Sequence, residues 1–224
     1  MRERSHFQPP GVSANGKAYA DVFPRRVHEL LALGYAMLTP TDFACAEEEH
    51  ITGELVDAIE DVLDFTPPAW AGPFSVHDEP RERHQTRKGK ARKRLDIRFD
   101  SSEVTPRARL RFEAKRLGPH HGTSLYLGGE GIQRFLDGRY ARNDPIAGML
   151  GYVQAGDPGD WALKIEQAMG KDATKLGLRS ASPWRTERLA DGLQFTYCSG
   201  HDRPTIGDPI EIFHTFLLFN LIGE

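Results

Sequence analysis

Cysteine is scarce in this chain, with two in 224 residues. Cys45 and Cys198 lie far apart, so neither a disulfide framework nor a zinc site is expected, and a reducing compartment is the default. Long apolar runs are missing too. The longest, around Phe213 to Ile222, is interrupted and too short to span a bilayer. The opening Met1-Arg2-Glu3-Arg4-Ser5-His6 runs into polar sequence containing Pro and Gly, without the apolar segment of a secretory leader. A cytoplasmic protein with no membrane partner is expected. The P-loop pattern is absent as well, so any motor or sensor would be a separate chain. Basic charge is not in excess, since 29 Lys and Arg against 32 Asp and Glu leave a formal net charge of −3. That balance argues against indiscriminate coating of nucleic acid.

What is present is an ordinary globular composition, 39% hydrophobic and 27% charged, long enough to bury a sizeable core. The charge is unevenly placed. From Arg81 to Arg94, eight basic residues stand against the single acid Glu82. Arg87, Lys88, Lys90, Arg92 and Lys93 form its densest part. Such a run is either a solvated loop or a phosphate-binding segment. Its continuity with the strand that follows favours phosphate.

That strand is Leu95-Asp96-Ile97-Arg98-Phe99, and a second one follows at Leu110-Arg111-Phe112-Glu113-Ala114-Lys115. Both alternate apolar and polar residues with period two, the mark of a strand with one face on a core. The pattern puts Asp96 on the polar face of the first strand and Glu113 with Lys115 on the polar face of the second. Two carboxylates and a lysine converging from adjacent strands suit a hard cation and an activated water. Glu113-Ala114-Lys115 is the only acidic-x-Lys sequence in the chain. A third acid comes from Ala46 to Leu63, where Ile51, Leu55, Ala58, Ile59 and Val62 make a helical core stripe that also carries Glu48, with Glu49 and Glu54 as less favoured candidates. The competing view is that Glu47, Glu48 and Glu49 simply favour the positive end of that helix.

Asp96 followed by Glu113-x-Lys115 resembles the active site of the PD-(D/E)xK nucleases, the restriction-endonuclease-like superfamily, with Leu95 where the motif's proline would stand. Residues 45–155 match that core in element order. The segments Glu130-Gly131-Ile132-Gln133-Arg134-Phe135 and Gly148-Met149-Leu150-Gly151-Tyr152-Val153 resemble members found in bacterial defence islands. The resemblance implies an α/β fold with a central mixed sheet flanked by helices. It also implies a Mg²⁺-dependent DNA endonuclease of an anti-phage or restriction system, with Mn²⁺ as a substitute metal. Asp96, Glu113, the Ala114 carbonyl and Glu48 would be the metal ligands, and Lys115 would orient or deprotonate the attacking water. Gln133 and Arg134 would lie on a helix beside the site, in reach of substrate phosphate, unless they are surface polars. His201 and Arg203 follow a strand end and are further candidates for phosphate contact, the alternative being a plain polar loop. DNA, a separate sensor or NTPase chain and a second copy in a homodimer are the partners this reading allows.

The remaining elements follow from punctuation and period. Residues 1–20 are expected to be loosely ordered, and 21–224 to form one domain with its core at about 45–155 and a C-terminal extension at 156–224. A short helix is expected over Val22–Leu33 with Pro24 near its start, then extended chain over Tyr35–Thr39. A strand near Phe74–Val76, a helical turn over Gly131–Leu136 and a buried strand over Ile146–Gln154 come next. Asp157-Pro158 starts a helix as N-cap and first residue, placing Trp161, Ile165 and Met169 on one face. Leu193–Cys198 reads as a strand and Pro209–Leu221 as a closing apolar helix with a core histidine, His214. His120 and His121 have no further ligand at zinc spacing. Two other functions stay open: a nucleic-acid-binding module that does not cut, and an interaction protein that docks through the Pro209–Leu221 helix.

Overall fold

The computed structural model describes residues 14–78 and 96–220, with side chains from Tyr19 onward. The basic run at Arg81–Arg94, including Arg87, Lys88, Lys90, Arg92 and Lys93, lies outside the described residues. Among the described residues, seven strands form one mixed sheet in the order β1-β2-β3-β4-β7-β6-β5. They are β1 Phe74–Asp78, β2 Ile97–Ser101, β3 Ala108–Leu117, β4 Ile146–Val153, β5 Arg185–Thr186, β6 Thr196–His201 and β7 Ile210–Leu218. The centre, β3-β4-β7, is parallel, and antiparallel pairs extend it on both sides. A parallel centre must be covered on both faces, which is why β4 is buried along nearly its whole length. Gly148 of β4 is required by closeness, because a Cβ there would lie 2.2 Å from the Phe112 ring.

Helices α1 Ala14–Met37 and α2 Glu48–Phe65 cover one face, joined by a 3₁₀ turn at Pro40–Phe43. They bury Phe23, Val27, Leu30, Ile51, Leu55 and Ile59 against Val76, Ile97, Phe99, Leu110, Phe112 and Ala114. The short α3 Thr123–Leu127 and α4 Gln133–Leu136, with α5 Pro158–Lys171, build the core of the opposite face over β4 and β7. Asp157 caps α5 as expected, accepting from Gly159 N at 2.7 Å and Asp160 N at 3.3 Å. No helix among the described residues is long and apolar enough to cross a membrane.

Local expectations are corrected at several points. Pro209–Leu221 is not a helix: Ile210–Leu218 is strand β7, between β4 and β6, and the interaction reading loses the helix on which it rested. A strand buried on both faces shows an unbroken apolar run instead of alternation, and that run is easily taken for a buried helix. Tyr35–Met37 belongs to α1 and is not extended, and residues 14–20 are helical. The helix runs through Pro24, which costs about 3 kcal/mol in a helix interior. Burying Tyr19 and Phe23 with the stripe they share offsets this, at roughly 1.5–3 kcal/mol for a fully buried Phe-sized side chain. A further correction is one of strand bounds: β6 begins at Thr196 and runs to His201 where Leu193–Cys198 was expected, and β2 and β3 span Ile97–Ser101 and Ala108–Leu117 where Leu95–Phe99 and Leu110–Lys115 were expected, which leaves Asp96 just outside β2.

Candidate active site

Strands β2 and β3 differ in reach, and the site lies where they part. Their last paired rung is Ile97 with Phe112, whereas β3 continues beside β4 as far as Leu117. Beyond Phe112, the N–H groups of Ala114 and Arg116 therefore need partners other than a strand. Two carboxylates take those places. Asp96, the residue just before β2, accepts from Ala114 N through Oδ2 at 2.6 Å. Glu48, the first residue of α2, accepts from Arg116 N through Oε2 at 3.1 Å.

Between them sits Glu113, fully buried on the face opposite α1 and α2. Its Oε1 accepts from Arg134 Nη1 at 2.6 Å and lies 3.1 Å from Lys115 Nζ. Its Oε2 is buried and has no hydrogen-bond partner among the described residues. Lys115 Nζ donates to Glu48 Oε1 at 2.6 Å and to the Ala114 carbonyl. The three carboxylates Asp96, Glu113 and Glu48 thus outnumber the two cations Lys115 and Arg134.

Burial and crowding show in the protonation equilibria. Burial, with the neighbouring Asp96 charge adding to it, pushes Glu113 up to about 8. Burial also lifts Asp96 to about 6, against the opposing pull of Lys115 and the Ala114 N–H. Lys115 goes the other way from a simple buried amine. Desolvation favours its neutral form, but Glu113, Glu48 and Asp96 outweigh that and hold it above its ordinary value. The lysine is therefore a proton-bearing donor at neutral pH.

Compared with family models, curated proteins and solved structures, the chain matches none. Its chemistry has to be read from the residues themselves. Among the described residues no three Asp, Glu, His or Cys side chains form a ready metal cage. The donors that do converge, the Asp96 and Glu113 carboxylates and the Ala114 carbonyl, are hard oxygens. Mg²⁺ is commonly held by one or two carboxylates with waters completing its octahedron, so this set fits a partly hydrated hard cation. The unpartnered Glu113 Oε2 is the atom such an ion would satisfy.

The expected residues separate into those brought together and those that are not. Asp96, Glu113, Lys115 and Glu48 share the notch. Glu48 uses both oxygens, on Lys115 and on Arg116 N, and so acts as a positioning residue instead of an open ligand. Arg134 reaches Glu113, but to hold its carboxylate, while Gln133 stands half-buried beside it at the start of α4. His201 and Arg203 are not in the site. His201 is buried, with Nδ1 on the Leu176 carbonyl and Nε2 on Ser199 Oγ. Arg203 is also buried and spends its donors on the carbonyls of Asp208, Ala141 and Asp144. Neither presents a group to substrate. His214 is a satisfied core histidine, between Tyr126 OH and Ser199 Oγ.

Two functional neighbours escaped the sequence reading. Glu130 pairs with Arg134, and Tyr140 OH accepts from Arg134 Nη1 at 3.0 Å, so both fix the group that fixes Glu113. The four-residue spacing of Glu130 and Arg134 was a usable signal. Tyr140 had none, because a turn returns it to the site.

Proposed function

We propose that the chain is a Mg²⁺-dependent DNA endonuclease on a PD-(D/E)xK-type core, the nuclease part of a bacterial anti-phage defence system. The observation that carries this reading is the meeting of Asp96, Glu113 and Lys115 in one notch, with Glu113 Oε2 buried and unpartnered. Asp96, Glu113 and the Ala114 carbonyl would hold the cation. When bound, it supplies Lewis acidity and a more acidic water at neutral pH.

The chain's own residues do the rest. Arg134 fixes the Glu113 carboxylate through Oε1, leaving Oε2 as the open donor. Glu48 keeps Lys115 charged and in place. Lys115, bearing its proton, orients the attacking water and donates toward the charge that builds on the phosphate. Its protonated state favours this electrostatic role over that of a general base. The reading brings with it a cytoplasmic location, Mn²⁺ as a substitute, a separate sensor or NTPase chain, and a homodimer as the form to look for.

A plasmid-nicking assay tests it. Nicking with Mg²⁺ or Mn²⁺ and none with EDTA is expected, and intact plasmid in both metal lanes sinks the reading. A second reading, a binding module that does not cut, draws on the engagement of Lys115 by Glu48 and the Ala114 carbonyl, which closes the notch on itself. It requires that Asp96→Ala leave the heat of Mg²⁺ titration unchanged, whereas the nuclease reading requires that heat to fall.

A further inference from the structure

The pairing register sets out a second group of charged residues that the proposed chemistry does not use. Ser75, Asp100 and Arg109 share one rung across β1, β2 and β3, and His77, Arg98 and Arg111 share the next. Two residues further along β2 and β3 stand Asp96 and Glu113. Strand alternation sends Val76, Ile97, Phe99, Leu110 and Phe112 to the core under α1 and α2, so these rungs face the other way. The apolar cluster on that other side takes none of its members from β1 or β2. Among the described residues this end of the sheet therefore carries a polar face without an apolar cover, and Arg109 and His77 are each 42% exposed on it.

We propose that this face is a platform for the phosphate backbone of duplex DNA, leading to the Asp96 and Glu113 notch. Its direction rests on the nuclease reading, while its residues are independent of it. Asp100 accepts from Arg98 Nε at 2.8 Å and from Arg109 Nε at 3.0 Å, with His77 Nε2 at 3.3 Å. One buried acid thus orients two guanidinium groups through Nε, and among the described residues their Nη donors are left for an anion. Arg111 is paired with Asp144 and braces the second rung. The guanidinium pair on Asp100, with the proposed phosphodiester chemistry at the end of the same strands, favours duplex DNA over an acidic polypeptide.

The test is binding of a fluorescent DNA duplex in EDTA at several salt concentrations, so that no cleavage is needed for the readout. The wild type is compared with an Arg98→Gln, Arg109→Gln double variant and with His77→Glu, which keeps Arg98, Arg109 and Asp100 and so covers the case of a misfolded double variant. Two lost phosphate contacts should flatten the slope of log affinity against log salt by about 1.8, at roughly 0.9 for each. His77→Glu should weaken binding at low salt. A wild-type slope and affinity in both variants overturns the platform, and so does polyglutamate or duplex RNA competing as well as DNA. If the wild type binds DNA with the expected slope yet never nicks plasmid with metal, the platform stands and the nuclease reading falls.

Discussion

Asp96 finishes a ladder that β2 leaves open: its Oδ2 stands 2.6 Å from Ala114 N, one step past the last paired rung of β2 and β3. The same carboxylate is thereby placed beside Glu113, whose charge its own opposes. A backbone requirement and a chemical site are met by one side chain. Replacing it should disturb both the strand junction and the cation affinity.

Lys115→Ala should lower single-turnover cleavage by on the order of 10²–10⁴, the usual cost of losing a positioned catalytic group. Mg²⁺ affinity should hold or rise, because a positive charge next to Glu113 is removed. Cleavage at the wild-type rate would remove Lys115 from the mechanism.

Glu48→Gln should move the alkaline limb of the pH profile to lower pH. Glu48 is one of the acids that hold the Lys115 ammonium above its ordinary value, so neutralising it lets the lysine lose its proton sooner. Glu48→Ala should in addition destabilise the fold by about 1–3 kcal/mol, by leaving Arg116 N without its acceptor. An unmoved limb in the glutamine variant would mean that Glu48 only caps β3.

Glu113 and Asp96 make the metal-free protein less stable as pH rises. Their folded values, about 8 and about 6, lie above the ordinary 4.5 and 3.8, so the folded state keeps protons that the unfolded chain gives up. Their contribution is complete below about pH 4 and is lost as pH climbs through 6 and 8. In EDTA, Glu113→Gln should lose less melting temperature than wild type between pH 5 and pH 8.5. Mg²⁺ should raise the wild-type melting temperature most at the alkaline end. Parallel curves for wild type and variant would contradict the buried-acid account.

His28 works with the opposite sign. Burial lowers it to about 4, so the unfolded state binds the proton first, and stability is lost as pH falls from about 6.5 toward 4. Its Nε2 is buried without a partner among the described residues, while Nδ1 faces the Pro24 carbonyl at 2.7 Å. His28→Leu should move the acid-unfolding midpoint, followed by circular dichroism, to lower pH. A midpoint that stays where it was would show that His28 carries no part of the acid transition.

The sequence by itself determined what depends on neighbours along the chain. Period two placed Glu113 and Lys115 on one face of β3. The apolar stripe fixed α2 and put Glu48 on it, and Asp157-Pro158 fixed the start of α5. These features are set by backbone geometry and repeat at short range. Tertiary structure decided what depends on distance through space. The apolar run at Ile210–Leu218 became a strand because β4 and β6 flank it, which no window of its own residues reveals. His201 and Arg203 were drawn into buried networks, where polar groups must find partners. Arg134 came to Glu113 through two short helices, and Tyr140 through a turn. The notch itself exists because β3 is longer than β2 on one side only. The two strands are legible in the sequence, but their extents, Ile97–Ser101 and Ala108–Leu117 instead of Leu95–Phe99 and Leu110–Lys115, and the register that turns the difference into a site come from packing the whole sheet.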